Sequence, residues 1–359
     1  MISYNMGSIE SIKEEDENIQ WLRVKIDGKS YNAVNYIDLI GRVDINDQVV
    51  LNTTAVELAL GTGGEHFVMA NITAKNRELN SNDHIMKLKY TPVQTQVLSV
   101  EAQESEYHDE IKNFKSLDNS IFIIGTLHSN LMPIASYIKK NRPETRINYI
   151  MTDGGALISS FSKNIKELKE KNIIDNVITA GNATGGDYEA INIYTAIIFS
   201  KEVLKSDISI IAMGPGIVGT GTQYGFSGVE QGYISDGVIS LGGRSILVPR
   251  ISFSDKRKRH NGLSHHSISI FRDLATKSAD IVFPILNSSQ DEYIKNQIEE
   301  NGISKRHNIV FEKADDLRDT IGYYNINPRT MGRGYEDDRA FFDTLASVAK
   351  YSIKLLDRL

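Results

Sequence analysis

The chain has 359 residues, of which 40% are hydrophobic and 24% are charged, a composition typical of a globular protein with one large core or two smaller ones. Its formal net charge of -6 gives no overall field that would attract nucleic acid or an anionic membrane, so both are disfavoured as partners. Cysteine is absent, which excludes disulfides, a thiolate nucleophile, and zinc or iron–sulfur sites with cysteine ligands.

The N-terminal sequence has no basic region followed by an apolar stretch. No uncharged apolar run reaches the roughly 18 residues that a membrane-spanning helix needs. We therefore expect a cytoplasmic protein without a membrane segment. The sequence leaves open whether it forms a homo-oligomer.

Residues 1–105 are predicted to form a small β-rich domain, either a barrel or a sandwich. Leu22, Val24 and Ile26 alternate with polar residues, as in a strand with one buried face. The dipeptide Asp27-Gly28 that follows is typical of a two-residue hairpin turn. Further short apolar runs occur at similar spacing, which is the pattern of a small all-β unit.

Residues 119–359 are predicted to form an α/β domain, joined to the first by an acidic connector, residues 106–118. Apolar runs alternate there with helical patterns, as in βα units on a parallel sheet. Seven strands are predicted, at residues 121–124, 147–151, 177–180, 208–213, 246–253, 281–286 and 309–311. Because a barrel needs eight, we favour an open, doubly wound, Rossmann-like sheet, with an incomplete β/α barrel as the alternative.

Helical periodicity separates the predicted strands. Leu131, Ile134 and Ile138 would lie on one face of a helix. Residues 188–204 are apolar on nearly all sides, which favours a helix packed between layers. A long last helix is predicted from about residue 338 to 356.

Chemically distinctive residues are concentrated in the loops that follow the predicted strands, whereas the loops that precede the strands have no such concentration. The carboxyl ends of parallel strands lie at one edge of a sheet, so residues far apart in sequence can meet there. These loops contain Asp153, Gly154, Gly155, Gly185, Gly186, Asp187, Gly214, Gly216 and the segment 255–266. We expect them to line one small-molecule site.

The loop that starts at Gly214 matches the pattern G-x-G-x-x-G directly after a strand. However, irregular chain follows where a dinucleotide fold has a helix, and the match comes after the fourth α/β strand rather than the first. NAD and FAD are therefore disfavoured. We expect free backbone N–H groups to bind a phosphate or carboxylate instead, and they would come from Gly154, Gly155, Gly185, Gly186, Gly214 and Gly216.

The segment 255–266 concentrates positive charge and imidazole. Ser264 is a good N-cap, which places His265 and His266 in the first turn of a helix. The positive end of the helix disfavours protonated imidazole, so a neutral ring able to act as a base or to bind a metal is favoured there.

Specific roles follow from these patterns. The predicted catalytic residues are Asp153, Asp187, His265 and His266. Arg259 is a predicted anion ligand. Histidine and carboxylate groups could hold Mn²⁺, Zn²⁺ or Mg²⁺, with Asp255 and His260 as the candidate metal ligands. The spacing H-x4-H-H matches no established metal motif, and a mechanism without a metal remains the alternative.

In the first domain, the run Gly61-Thr62-Gly63-Gly64 precedes His66. The simpler interpretation is a hairpin or bulge loop. The alternative is that His66 reaches the α/β site.

Four motifs together resemble an uncharacterised bacterial family, catalogued as a domain of unknown function. In chain order they are Leu51-Asn52-Thr53-Thr54-Ala55 with Leu58-Ala59-Leu60-Gly61-Thr62-Gly63-Gly64, Thr152-Asp153-Gly154-Gly155-Ala156-Leu157, Gly214-Pro215-Gly216, and Gly262-Leu263-Ser264-His265-His266. The likeness spans nearly the whole chain. It implies no activity, substrate or catalytic residue.

The leading hypothesis is an enzyme that acts on a small phosphorylated or carboxylated metabolite by acid–base chemistry, with metal-assisted hydrolysis as one form. The alternative is a non-catalytic sensor or scaffold that binds a nucleotide or a similar metabolite. A P-loop is excluded because no Walker A lysine follows the glycines, and the absence of a G-x-S-x-G elbow disfavours a serine hydrolase.

Overall fold

A computed structural model describes residues 1–60, 63–74, 84–313 and 315–358. It divides the chain into two units, Met1–Leu98 and Ser99–Leu359. The acidic residues 106–118, predicted to be a connector, belong to the second unit. Ile111 and Leu117 of this segment are buried in its core.

The first unit contains a closed five-stranded barrel with the order β1-β2-β3-β5-β4. Its strands are β1 (Tyr4–Glu15), β2 (Ile19–Ile26), β3 (Lys29–Tyr36), β4 (Gln48–Asn52) and β5 (Glu65–Asn71). Leu22, Val24 and Ile26 point into the barrel core, as their alternation predicted. Asp27 and Gly28 both have positive φ, 46° and 78°, as a tight hairpin turn requires.

Short elements complete the first unit. They are helices α1 (Ile37–Ile40) and α2 (Thr54–Glu57) and the antiparallel pair β6 (Ile85–Lys87) and β7 (Thr95–Val97). His66 lies on β5, is 3% exposed, and has its ring 5.3 Å from that of Tyr31. Gly61 and Thr62, part of the glycine run before it, lie outside the described residues.

The second unit is built on an eight-stranded sheet in which all neighbouring strands are parallel. The strands are β8 (Ile121–Ile124), β9 (Ile147–Thr152), β10 (Asn176–Ala180), β11 (Tyr188–Ala190), β12 (Ile208–Met213), β13 (Arg244–Leu247), β16 (Asp280–Pro284) and β17 (Asn308–Glu312), in the order β11-β10-β9-β12-β8-β13-β16-β17. The sheet is open, with β11 and β17 as its edges, so the alternative of a β/α barrel does not apply. A mixed α/β architecture of this kind is consistent with the predicted Rossmann-like fold.

The helices of the second unit differ in length. The longer ones are α4 (Leu131–Asn141), α5 (Lys163–Glu170), α6 (Ile193–Glu202), α7 (Glu230–Ser240), α9 (Ser288–Glu300) and α11 (Arg339–Leu356), and the shorter ones are α3 (His108–Lys112), α8 (His265–Ser269) and α10 (Arg318–Tyr324). Among the described residues, no helix is long and apolar enough to cross a membrane.

Alternate residues of each central strand enter two different hydrophobic cores. Ile121 and Ile123 of β8 pack in the core that includes α4 and α11, while Phe122 and Ile124 pack in the core that includes α6 and α7. Strands buried on both faces are apolar at most positions, which is why the sequence shows nearly continuous apolar runs here rather than alternation.

The predicted strands and helices differ from the structure in two places. Residues 188–204 were predicted as one helix, but the segment begins with edge strand β11, and α6 starts only after Asn192. The Asn192 side chain caps α6 by accepting hydrogen bonds from the N–H groups of Tyr194 and Thr195. Residues 246–253 are not one strand, because β13 ends at Leu247 and a separate strand, β14 (Ile251–Ser252), pairs with β15 (Gly262–Leu263).

Candidate functional site

Strands β8, β9, β12 and β13 end near one another at the centre of the sheet, and the loops that follow them carry the distinctive residues. After β13, the chain passes through Arg250 into β14 and returns through β15 to the start of α8. Arg250 accepts a hydrogen bond from Ser264 N–H at 2.9 Å, and its own N–H donates to Ser267 Oγ at 2.9 Å. This small antiparallel pair therefore brings two separate parts of the segment 250–267 together.

Three histidines form a cluster at this point. Their ring centroids are 4.9 Å apart for His260 and His265, 5.1 Å for His260 and His266, and 4.2 Å for His265 and His266. One potential ligand atom from each ring can be chosen so that all three lie within 4.8 Å of one another. The sequence placed these histidines in one segment, and the structure places their rings in contact.

Ser264 organises the cluster. Its Oγ accepts a hydrogen bond from His266 N–H at 3.3 Å, which confirms the predicted N-cap of α8. The same Oγ lies 2.7 Å from His260 Nδ1 in a hydrogen bond. One hydroxyl thus begins the helix that carries His265 and His266 and also orients the third imidazole.

The imidazoles are held in an environment that keeps them neutral. His260 and His266 are buried, and His265 is half-buried. Burial, reinforced by nearby guanidinium groups, lowers the pKa of His260 and of His266 to about 3 and also lowers the pKa of His265. Phe226 fixes the His266 ring by stacking on it, with centroids 3.8 Å apart and planes 7° from parallel.

Among the residues that the structure describes, two imidazole nitrogens of the cluster, His265 Nε2 and His266 Nδ1, are buried and have no hydrogen-bond partner. A buried polar atom without a partner costs about 1–3 kcal/mol, and native proteins contain few of them. Two such atoms on adjacent residues make this cluster the candidate site of the second unit.

Guanidinium groups surround the cluster. Arg250 is only 5% exposed, and Asp255 accepts hydrogen bonds from Arg250 Nη2 at 3.3 Å and Arg257 Nη2 at 2.7 Å. Arg257 holds the pKa of Asp255 far below its ordinary value. Burial lowers the pKa of Arg250 to about 10, so this guanidinium keeps its charge at neutral pH. Asp255 was a candidate metal ligand, but both of its oxygens are engaged by arginines.

A cavity of about 190 Å³ opens beside the cluster. It is lined by Ile217, Gly219, Gly221, Arg250, Arg257, Arg259, His260, His266 and Met331. The predicted anion ligand Arg259 is among them, and its side chain is exposed. At Gly219 a Cβ would lie 3.4 Å from His266 Cε1, so a larger residue there would narrow the approach to this ring. The lining of the cavity therefore combines three arginines with two of the neutral imidazoles.

Asp153 lies at the end of β9, in a second polar group with Glu230. Its Oδ2 accepts a hydrogen bond from Asn182 N–H at 2.9 Å. Glu230, at the start of α7, is 5% exposed and accepts a hydrogen bond from the Thr152 hydroxyl. Burial raises the pKa of Glu230 to about 7, with a smaller contribution from the charge of Asp153.

Sequence reasoning missed Glu230. An acidic residue in the first turn of a helix is ordinary, because it interacts favourably with the helix dipole. Its burial depends on Gly154, where a Cβ would lie 2.7 Å from Glu230 Oε2. Gly154 and Glu230 lie opposite each other only in the folded protein. No pattern in the sequence links the two residues.

Most of the predicted anion-binding glycines have another role. A Cβ on Gly155 would overlap the carbonyl oxygen of Gly214, and a Cβ on Gly214 would overlap that of Ala156. The loops after β9 and β12 are also joined by a hydrogen bond from Ala156 N–H to Pro215 O at 2.7 Å. These glycines allow two backbones to touch. Gly216 differs, since it has φ of 103° and open space beside its Cα.

Gly185 and Gly186 do not offer free N–H groups either. Gly185 N–H donates to Glu189 Oε1 at 2.7 Å, and Gly186 N–H donates to Thr179 Oγ1 at 3.3 Å. The predicted anion cradle at these two positions is therefore corrected, because both N–H groups donate to side chains of the flanking strands β10 and β11.

Asp187 lies away from the other predicted site residues. It precedes β11, which runs parallel to β10, so the chain has returned to the amino edge of the sheet before reaching it. Its Oδ2 accepts hydrogen bonds from Val177 N–H at 2.7 Å and Lys169 Nζ at 2.8 Å. The expectation that Asp187 joins Asp153 at the carboxyl edge is corrected by this missed strand.

The comparisons with known proteins give a family and no characterised relative. A family model described as "Protein of unknown function (DUF3866)" matches residues 32–349. No curated protein matches the chain. The match spans parts of both units and includes every residue of the histidine cluster and the cavity.

Proposed function

The chain belongs to this family of unknown function, and we propose that it is an enzyme that binds a small phosphorylated or carboxylated metabolite in the arginine-lined cavity and transforms it by acid–base chemistry. The observation that carries the proposal is the juxtaposition of three guanidinium groups with buried, neutral imidazoles around one cavity. Arg250, Arg257 and Arg259 supply charge and N–H donors for an anion.

The size of the cavity limits the ligand. Drug-sized ligands occupy pockets of about 300–1,000 Å³, whereas this cavity measures about 190 Å³. It fits a single phosphoryl or carboxylate group with few further atoms, or the charged end of a larger metabolite.

The imidazoles supply the acid–base function. A base must be unprotonated at the working pH and within reach of the proton that it accepts. His266 meets the first condition because burial depresses its pKa, and an anion bound in the cavity would raise that pKa towards the working pH. It lines the cavity, and Phe226 stacks on its ring. Arg250, being buried and hydrogen-bonded to Asp255, would hold the anion in a fixed position relative to this ring.

Anion binding is tested by thermal shift and calorimetry with inorganic phosphate and small phosphorylated and carboxylated compounds. Arg259→Gln should weaken binding by about 10- to 100-fold, the value of one charge-assisted hydrogen bond. Lys256→Gln is the matched control, because it removes one charge from the same basic run at a residue that does not line the cavity. Equal effects of the two substitutions would contradict the proposed site.

Catalysis is tested separately from binding. Compounds that bind are incubated with the protein and their conversion is measured, for wild type and for His266→Gln. An enzyme should lose turnover in the variant, and in chelator-treated protein the variant should keep most of the affinity for the anion. Binding without conversion of any compound would favour the non-catalytic sensor instead.

A further inference from the structure

We propose that His260, His265 and His266 together hold one divalent transition-metal ion of the Zn²⁺ type, at the wall of the arginine-lined cavity. The inference concerns the site of the proposed function and rests on it for the role of the ion: with the ion bound, His266 would be a ligand, and a water in the open position of the ion would take its place as the base. Binding of the ion itself can be measured without any substrate.

The first argument is the geometry of the cluster. In a tetrahedral zinc site with Zn–N bonds of about 2.0–2.1 Å, neighbouring nitrogens lie about 3.3 Å apart. The three candidate ligand atoms already lie within 4.8 Å of one another. Small rotations of the rings would close the remaining gap. Three protein ligands leave one position open, which is the arrangement of catalytic rather than structural zinc sites.

The second argument is the pair of unpartnered nitrogens. Within the described part of the chain, His265 Nε2 and His266 Nδ1 are buried without a hydrogen bond, on rings that are adjacent in the cluster. An ion between the rings would satisfy both atoms at once.

The third argument is the support around the ligands. Metal-binding histidines usually form a hydrogen bond through the ring nitrogen that does not bind the metal. His260 Nδ1 bonds to Ser264 Oγ, which leaves Nε2 for the ion. Stacking on Phe226 limits the orientation of the His266 ring.

The choice of metal follows from the ligands. Three imidazoles suit Zn²⁺, Co²⁺, Ni²⁺ or Cu²⁺, whereas Mg²⁺ and Ca²⁺ prefer oxygen. Asp255, the carboxylate nearest in sequence, is held by Arg250 and Arg257. An all-nitrogen protein ligand set therefore excludes Mg²⁺ as the preferred ion.

The arginines add a further expectation. Arg250, Arg257 and Arg259 line the cavity, and Asp255 offsets only part of their charge. A divalent cation beside them would be repelled unless an anion occupies the cavity. We therefore expect the ion and the anion to bind cooperatively, each increasing the affinity of the other by the same factor.

The test uses the full chain, freed of metal by a chelator and titrated with Co²⁺, whose visible absorption is strong in tetrahedral sites and weak in octahedral ones. We expect one equivalent to bind with tetrahedral bands, and sulfate to tighten binding. His265→Gln and His266→Gln should each weaken Co²⁺ binding by at least about 100-fold. His108→Gln is the control, because His108 is half-buried and bonded to Glu101 O away from the cluster.

A second measurement needs no variant. X-ray absorption at the zinc edge of the Zn²⁺-loaded wild type should show three imidazole nitrogens at about 2.0–2.1 Å. Co²⁺ binding of less than a tenth of an equivalent, octahedral spectra, or equal binding by the histidine variants and the control would overturn the metal site. The anion site would still be supported if the metal-free protein binds phosphate and Arg259→Gln weakens that binding. Failure of the metal site can therefore be distinguished from failure of the proposed anion site.

Discussion

Replacing Glu230 by Gln should stabilise the protein at alkaline pH and have a much smaller effect in acid. The carboxyl is buried, and its pKa is raised from 4.5 to about 7, chiefly by burial. Gln has nearly the same shape and its carbonyl oxygen can still accept the hydrogen bond from Thr152. The substitution therefore removes the ionisation while changing the packing little.

The magnitude follows from the pKa. Each pKa unit corresponds to about 1.4 kcal/mol, so a rise from 4.5 to about 7 corresponds to about 3 kcal/mol. Between these values the folded protein binds the proton more tightly than the unfolded chain does. The contribution of Glu230 to stability is thus fully present below pH 4.5 and is lost as the pH rises through about 7.

The assay is urea unfolding followed by far-ultraviolet circular dichroism, which reports mainly on the second unit because the long helices lie there. The free energies of unfolding of wild type and Glu230→Gln are compared from pH 4 to pH 8. Their difference should shift in favour of the variant by about 3 kcal/mol over this range. A difference that stays constant to within about 1 kcal/mol would show that the carboxyl is not buried as described.

Three further predictions test other parts of the structure. Gly214→Ala should destabilise the protein by about 2–4 kcal/mol, since the new Cβ would overlap the Ala156 carbonyl. Gly216→Ala should cost only about 1 kcal/mol, because the positive φ of Gly216 is the only obstacle to a side chain there. Similar melting temperatures for the two variants would contradict the backbone contact at Gly214. Asp187→Asn should cost about 1 kcal/mol or less in denaturant unfolding and leave anion affinity unchanged, because its ion pair with Lys169 is partly exposed and lies at the other edge of the sheet; a loss of affinity would return Asp187 to the site. Asp255→Asn should cost about 3 kcal/mol in the same assay, because the buried Arg250 would lose its charged partner; an unchanged unfolding midpoint would show that Arg250 is neutralised elsewhere.

Several strands and one helix cap were predictable because they depend on local sequence. The apolar runs identified β8, β9, β10 and β12 as strands, and Ser264 identified the start of α8. The rule that loops after parallel strands meet at one edge then placed the histidines and Asp153 on the correct side.

The errors came from features that depend on non-local contacts. Strand β11 has three residues and borders an apolar helix, so periodicity merged the two and moved Asp187 to the wrong edge. Glycines that permit close backbone contact, such as Gly155 and Gly214, look the same in sequence as glycines that bind a phosphate. The burial of Glu230 could not be predicted, because no local sequence pattern shows that Gly154 lies opposite it in the folded protein.

Ser264 constrains how the site could change over time. Asp and Thr are also good N-caps, so a helix start alone would tolerate either of them. Here Asp would place a carboxylate beside His260, and Thr would need room for an additional methyl group at a residue that is fully buried. Many helices accept any of these residues at the N-cap. Here the position is restricted to serine, because its oxygen forms hydrogen bonds both with the backbone N–H of His266 and with the ring of His260.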